Sequence, residues 1–172
     1  MGDLGRLIDA FYGSGGRERL EEAARTFLGG GTVWTFGNGG SATDASHLTG
    51  ELLGKFRRPD RRSIPSMALV DPAVLTAIGN DYGFRHVFVR PLEALSRPGD
   101  VAVGFTTSGE SENVLLALAS AASRGVRTVA FCGRKRVDAD VLLSVDSTDA
   151  AEVQNLHRIL IHEVCDLVDR WA

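Results

Sequence analysis

Only two cysteines, Cys132 and Cys165, occur in 172 residues, and they lack the close pairing of a zinc knuckle. A reducing compartment argues against a structural disulfide between them, and both are expected as buried or half-buried thiols. Excess positive charge is missing as well: 19 Lys and Arg stand against 22 Asp and Glu, a net charge of -3 with a pI near 5.8. That balance argues against nucleic acid as a partner, and the short stretch "GRKRVD" does not alter it. No apolar run approaches the ~20 residues that span a bilayer. The start "MGDLGRLIDAFYGSGG" lacks the regions of a signal peptide, and Arg6 stands where a myristoylation site needs Ser or Thr. No membrane partner and a cytoplasmic location are expected. Internal repeats, low-complexity tracts and interdomain linkers are absent too.

The chain has the size of one domain, and its 44% apolar and 24% charged residues are the mixture of a globular protein. Short runs rich in Val, Phe and Thr at 32–37, 66–70, 100–105, 127–132 and 141–145 predict five strands. Helical periodicity covers 17–28, 41–55, 72–79, 84–96, 110–124 and 150–171. Alternation of nearly all-apolar strands with helices predicts an α/β fold, a doubly wound parallel sheet flanked by helices on both sides. Residues 1–30 read as an N-terminal helical appendage to a single domain spanning 1–172, with "GSGG" at 13–16 separating two helices. "RRPDRR" at 57–62 reads as a charged loop.

Ligands of such sheets bind beyond the carboxyl ends of the strands. After the third strand come Thr106, Thr107, Ser108, Gly109, Glu110 and Ser111, then an amphipathic helix. Hydroxyls and free amides at a helix N-terminus suit a phosphate. Ser108 or Ser111 as a simple helix cap is the alternative, although one cap needs only one hydroxyl. Glu110 would repel a phosphate unless its side chain points away. The turn after the first strand, "GNGGSATD", has Thr43 where a dinucleotide fingerprint needs its third glycine, and it lacks the lysine of a P-loop. No nucleotide cofactor is expected. Ser41 is either an N-cap or a second hydroxyl aimed at the same anion.

His47 and Glu51, four residues apart, share a helix face about 40° wide, turned away from the stripe of Ala45, Leu48 and Leu52. In the last helix Val153, Leu156, Leu160, Val164, Leu167 and Trp171 form one stripe. Gln154 and His162 lie on another flank with Ile161 and Cys165, an apolar flank that predicts a subunit contact. His157 and His86 read as ordinary structural histidines.

Together, "GNGGSATDASHLTGEL", "GNDYGF", "TTSGES" and "QNLHRILIHEVCDLV" resemble, in order and spacing, the phosphoheptose isomerases of the sugar isomerase (SIS) domain family. The resemblance runs from about Thr32 to Val168. It implies a five-stranded parallel sheet, a homotetramer with active sites between subunits, and conversion of sedoheptulose 7-phosphate to D-glycero-D-manno-heptose 7-phosphate, the first committed step of activated-heptose synthesis. By similarity Ser41, Thr106, Thr107, Ser108 and Ser111 hold the phosphate of a phosphorylated seven-carbon sugar, with Asn38 nearby and Asp81 on the sugar hydroxyls. Glu51 matches the family's base, and His162 its acid. Some members bind zinc at the positions of His47, Glu51, Gln154 and His162, so one zinc per subunit is the cofactor implied.

A carbonyl moved from C2 to C1 needs a proton taken from C1 and one returned to C2, which calls for a base and an acid. Ala42, Thr43, Lys55 and Ala151 depart from the family pattern, and these bear on the choice of sugar more than on the type of reaction. Two other readings stand beside this one. The first is a non-catalytic SIS regulator that binds a sugar phosphate or the replication initiator; the initiator-binding relatives lack the histidine matching His162. The second is an isomerase of another ketose phosphate.

Overall fold

The computed structural model describes residues 4–172; the first three residues of the N-terminal appendage lie outside the described residues. In chain order the elements are α1 (Leu4–Gly13), α2 (Gly16–Leu28), β1 (Val33–Gly37), α3 (Gly40–Leu53), β2 (Ser66–Ala68) and α4 (Pro72–Tyr82). A short 3-10 turn (Phe84–His86) leads to α5 (Val89–Leu95), β3 (Val101–Thr106), α6 (Glu112–Ser123), β4 (Arg127–Cys132), β5 (Val141–Ser144) and α7 (Ala150–Trp171). The five strands form one parallel sheet in the order β2-β1-β3-β4-β5, as the strand-helix alternation predicts.

Both faces of the sheet are buried, and the strand period of two divides them. Val101, Val103, Phe105, Val129 and Phe131 point to one core, shared with α1, α2, α3 and α7. Trp34, Phe36, Ala102, Ala130 and Leu142 point to the other, shared with α5 and α6. The two N-terminal helices, parted at 14–15, bury Leu7, Phe11, Leu20 and Phe27 in the first core. They complete a layer of the domain.

Three expectations change. The run at 66–70 is a strand only over Ser66–Ala68 at the sheet edge. The helix expected over 84–96 is broken, because Pro91 has no N–H to donate to Val87, and the α-helix starts only at Val89. Ile161 and Cys165 are 0% and 2% exposed inside the chain's own first core. Ile161 and Cys165 are therefore covered by this chain itself and do not supply the apolar subunit contact expected of them, whereas His162 beside them is exposed. In the other stripe Trp171 is 42% exposed while Val153 to Leu167 are buried. No helix among the described residues is long and apolar enough to cross a membrane.

Candidate active site

The order β2-β1-β3 makes the gap between the carboxyl ends of β1 and β3 the point where the chain reverses its direction across the sheet. Two turns meet there, the usual place for a ligand in such folds. In the turn after β3, Thr106 is 2% exposed. Its Oγ1 accepts the Gly109 amide at 3.1 Å and lies 3.0 Å from Ser111 Oγ and 3.4 Å from Ser108 Oγ. Ser108 Oγ accepts the Glu110 amide at 3.1 Å. Gly109 has φ +69°, and a side chain there would collide with the Lys135 carbonyl, so the turn closes only with glycine. Ser111 stands at the N-cap position of α6 but makes no cap bond. Its hydroxyl faces the turn instead, against the simple cap reading. Glu110 pairs with Lys135 at 2.6 Å, and that ammonium holds its carboxyl below the ordinary range. Thr107 and Ser108 line a cavity of about 330 Å³ with Glu110, Arg134, Lys135, Ser147 and Thr148.

The turn after β1 is tied to this one by a reciprocal amide pair. Asn38 Nδ2 donates to Asn113 Oδ1 and Asn113 Nδ2 to Asn38 Oδ1, both at 2.9 Å. Gly39 is the N-cap residue of α3, so Ser41 is not the cap. It sits inside the first turn, 3% exposed, its amide bonded to the Asn38 carbonyl at 3.0 Å. Gly40 marks a close approach: a Cβ there would meet the side-chain amide of Gln154, which would have to move aside. Gln154 thus covers the N-terminal end of α3.

That contact begins a series. Arg158 Nε meets Asp44 Oδ1 at 3.2 Å, and His162 Nε2 meets His47 Nε2 at 3.2 Å. Residue numbers rise together, so α3 and α7 run side by side in parallel. Burial pushes the Asp44 carboxyl up against the lowering effect of Arg158. Farther along, His47 Nε2 lies 3.4 Å from Glu51 Oε1. One ligand atom from each of His47, Glu51 and His162 falls within 4.8 Å of the others. Phe56 covers the His162 ring at 5.3 Å. Two imidazole nitrogens face each other with room for one proton between them, and a carboxylate stands beside them: the donor set of a proton relay or a cation.

The sequence-predicted residues therefore fall into separate groups. Asn38, Ser41, Thr106, Ser108 and Ser111 gather at the two turns, with Thr107 on the cavity wall, and Gln154 lies at the same end. His47, Glu51 and His162 gather elsewhere. Gln154 and His162, eight residues apart on α7, are offset by ~12 Å, and Ser41 and Glu51, ten apart on α3, by ~15 Å along the axis. Asp81 joins neither group; its carboxylate accepts from Asn80 Nδ2 at 2.8 Å on the exposed side of α4. Asn113 was missed, since its partner comes from 75 residues away and no local spacing signals it. Arg61 was missed too, read as part of a charged loop.

His157 is buried, with Nε2 3.3 Å from the Cys132 carbonyl. Desolvation lowers its pKa to about 4, and the structural reading of this residue stands. Cys132 and Cys165 are free and buried, as expected.

A family profile described as SIS domain matches residues 17–133. A phosphoheptose isomerase of Geotalea daltonii is 48% identical over 156 residues, covering 88% of this chain and 81% of that protein. The structure of the Neisseria gonorrhoeae phosphoheptose isomerase has a TM-score of 0.79 at 37% identity, covering 98% of this chain and all of that one. A phosphoheptose isomerase structure from Francisella tularensis gives 0.82 at 30% identity over 99% of this chain.

Proposed function

The chain belongs to the SIS domain family, and on that premise we propose that it is a phosphoheptose isomerase converting sedoheptulose 7-phosphate to D-glycero-D-manno-heptose 7-phosphate. The observation that carries this reading is the convergence of His47, Glu51 and His162 from helices 115 residues apart, in a chain 48% identical to a protein of that name. The hydroxyls and amides of the turn after β3, with Ser41 and Asn38, bind the phosphate. Glu51 takes the proton from C1 while O2 gains one, giving the enediol; on its collapse O1 gives up its proton and His162 returns one to C2, and both side chains then re-equilibrate with solvent. The phosphate orients the chain of carbons and leaves the reaction to the far end. Asp81, exposed on α4 and apart from both groups, is assigned to the sugar hydroxyls by family similarity alone.

His47, Glu51 and His162 are ligand types and a spacing that fit zinc, and three protein ligands leave a position open. Such an ion would polarise the substrate oxygen on which charge develops. Gln154 of the same chain lies ~12 Å away along α7, so it completes the set only from a second copy. The same arithmetic applies to the substrate. Eight bonds from phosphorus to C1 span about 10 Å, against a backbone rise of ~15 Å between Ser41 and Glu51 along α3 that the reach of the side chains shortens. In our reading one copy supplies the phosphate turn, and another supplies the base and acid. This supports a homo-oligomer, a tetramer in our reading, with active sites between subunits. A phosphorylated substrate and two free thiols support a place in the cytoplasm.

The test is turnover of sedoheptulose 7-phosphate by the purified protein, followed by NMR with zinc or chelator added. Appearance of the heptose 7-phosphate is expected. Tight binding of the sugar phosphate without product, in both conditions, would overturn the reading in favour of a sensor or another ketose phosphate.

A further inference from the structure

The charged loop after α3 hides an arginine that is anything but solvated. The Arg61 side chain is 1% exposed and pairs with Asp169, 4% exposed, at 2.6 Å from Nε to Oδ1. Its remaining donors reach the carbonyls of Leu52 at 3.2 Å and Arg62 at 2.7 Å through Nη1, and of Glu51 at 2.7 Å and Gly54 at 3.2 Å through Nη2. All five N–H groups of a guanidinium are thus used. Oδ2 of Asp169 accepts the amides of Arg57 at 2.7 Å and Arg58 at 2.9 Å. Against the desolvation that would raise it, these amides and the guanidinium hold the Asp169 carboxyl low.

We propose that the Arg61–Asp169 pair is a positioning device that sets the distance and angle between Glu51 and His162. It rests on the isomerase reading for its consequence in turnover, but its geometry stands alone. The last carbonyls of a helix have no partner within it, and α3 ends at Leu53, two residues past Glu51. Arg61 takes the carbonyl of Glu51 itself and stops that turn from fraying. Asp169 lies seven residues beyond His162 on α7, two turns on and close to the same side of the helix. One ion pair therefore ties the turn that carries the base to the helix that carries the acid. A buried ion pair contributes little net stability compared with apolar residues of the same volume. Its value here is that a planar fork fixes one arrangement.

The experiment compares the full-length protein with Arg61→Lys, Asp169→Asn and the double variant Arg61→Met/Asp169→Leu, which fills the same volume without charge. Circular dichroism checks that each is folded. In zinc-free protein the imidazole ¹⁵N resonances of His47 and His162 are recorded, with buried His157 as internal reference. Kinetics with sedoheptulose 7-phosphate supply kcat and KM separately. We expect all three to lose kcat roughly 10- to 100-fold with KM little changed. The His47 and His162 signals should shift while that of His157 stays. A folded variant with wild-type kcat and unmoved His47 and His162 signals would overturn the proposal. If the wild type itself makes no product, the isomerase reading falls, and the imidazole signals alone decide the positioning role.

Discussion

Two polar constellations lie on the α3–α7 pair, about two helical turns apart on α7, and they are built on opposite terms. Around Asp169 every donor of Arg61 finds an acceptor and both carboxylate oxygens are taken, all nearly out of reach of water. Around His162 three side chains crowd together half-exposed, each offering an atom to the same small volume. A saturated network can only hold. An unsaturated one, pressed against the first, has capacity left for something that arrives. The contrast is what favours the His162 end as the working end in the proposed reaction, since a fully satisfied network is suited to holding structure.

Breaking the open constellation gives the largest expected effect. Glu51→Gln and His162→Ala should each lower kcat by about 10²- to 10⁴-fold, the usual worth of a general base or acid, with little change in melting temperature because neither side chain is buried. Equal loss of both activity and fold would erase the distinction between the two constellations. Next comes the buried polar group of the sheet face, His157. Its folded pKa of about 4 lies below the ordinary 6.5, so the unfolded chain binds the extra proton between those values. The stability it contributes is complete above pH 6.5 and is lost as pH falls toward 4. Urea unfolding at pH 7.5 and 4.5 should show about 2–3 kcal/mol of that loss, absent in His157→Phe. Ser108→Ala then sharpens the phosphate assignment: loss of a hydrogen bond to a charged group, about 1.5–3 kcal/mol, should appear as a raised KM for the sugar phosphate. The smallest effect concerns the Asn38–Asn113 pair, which joins the two turns. A double-mutant cycle with alanine at each should return a coupling near 1 kcal/mol in stability, and a zero coupling would leave the turns independent.

Much of this was legible in the residues. The five parallel strands and most helices follow from apolar periodicity, and the meeting of His47 with Glu51 follows from their spacing alone. The hydroxyl turn after β3 was readable because four small polar residues there exceed the needs of one cap. What escaped is long-range. Arg61 sits in "RRPDRR" among arginines of which Arg57 and Arg58 remain largely exposed, and nothing local tells which one will turn inward to Asp169, 108 residues away. The flank of Ile161 and Cys165 was misjudged for the same reason: helical period shows that a flank is apolar, but not whether this chain or another covers it. Pro91 was visible and its missing donor should have split the helix at 84–96.

The parallel run of α3 beside α7 has a last consequence, in the order of events. Asp44 with Arg158, His47 with His162 and Arg61 with Asp169 join residues 114, 115 and 108 positions apart. Contacts that distant are among the slowest to form, because the loop between them must close first. No half-assembled chain can bring Glu51 beside His162. During refolding, the return of turnover should therefore trail the return of helical signal, and the enzyme stays chemically silent until its final helix has docked.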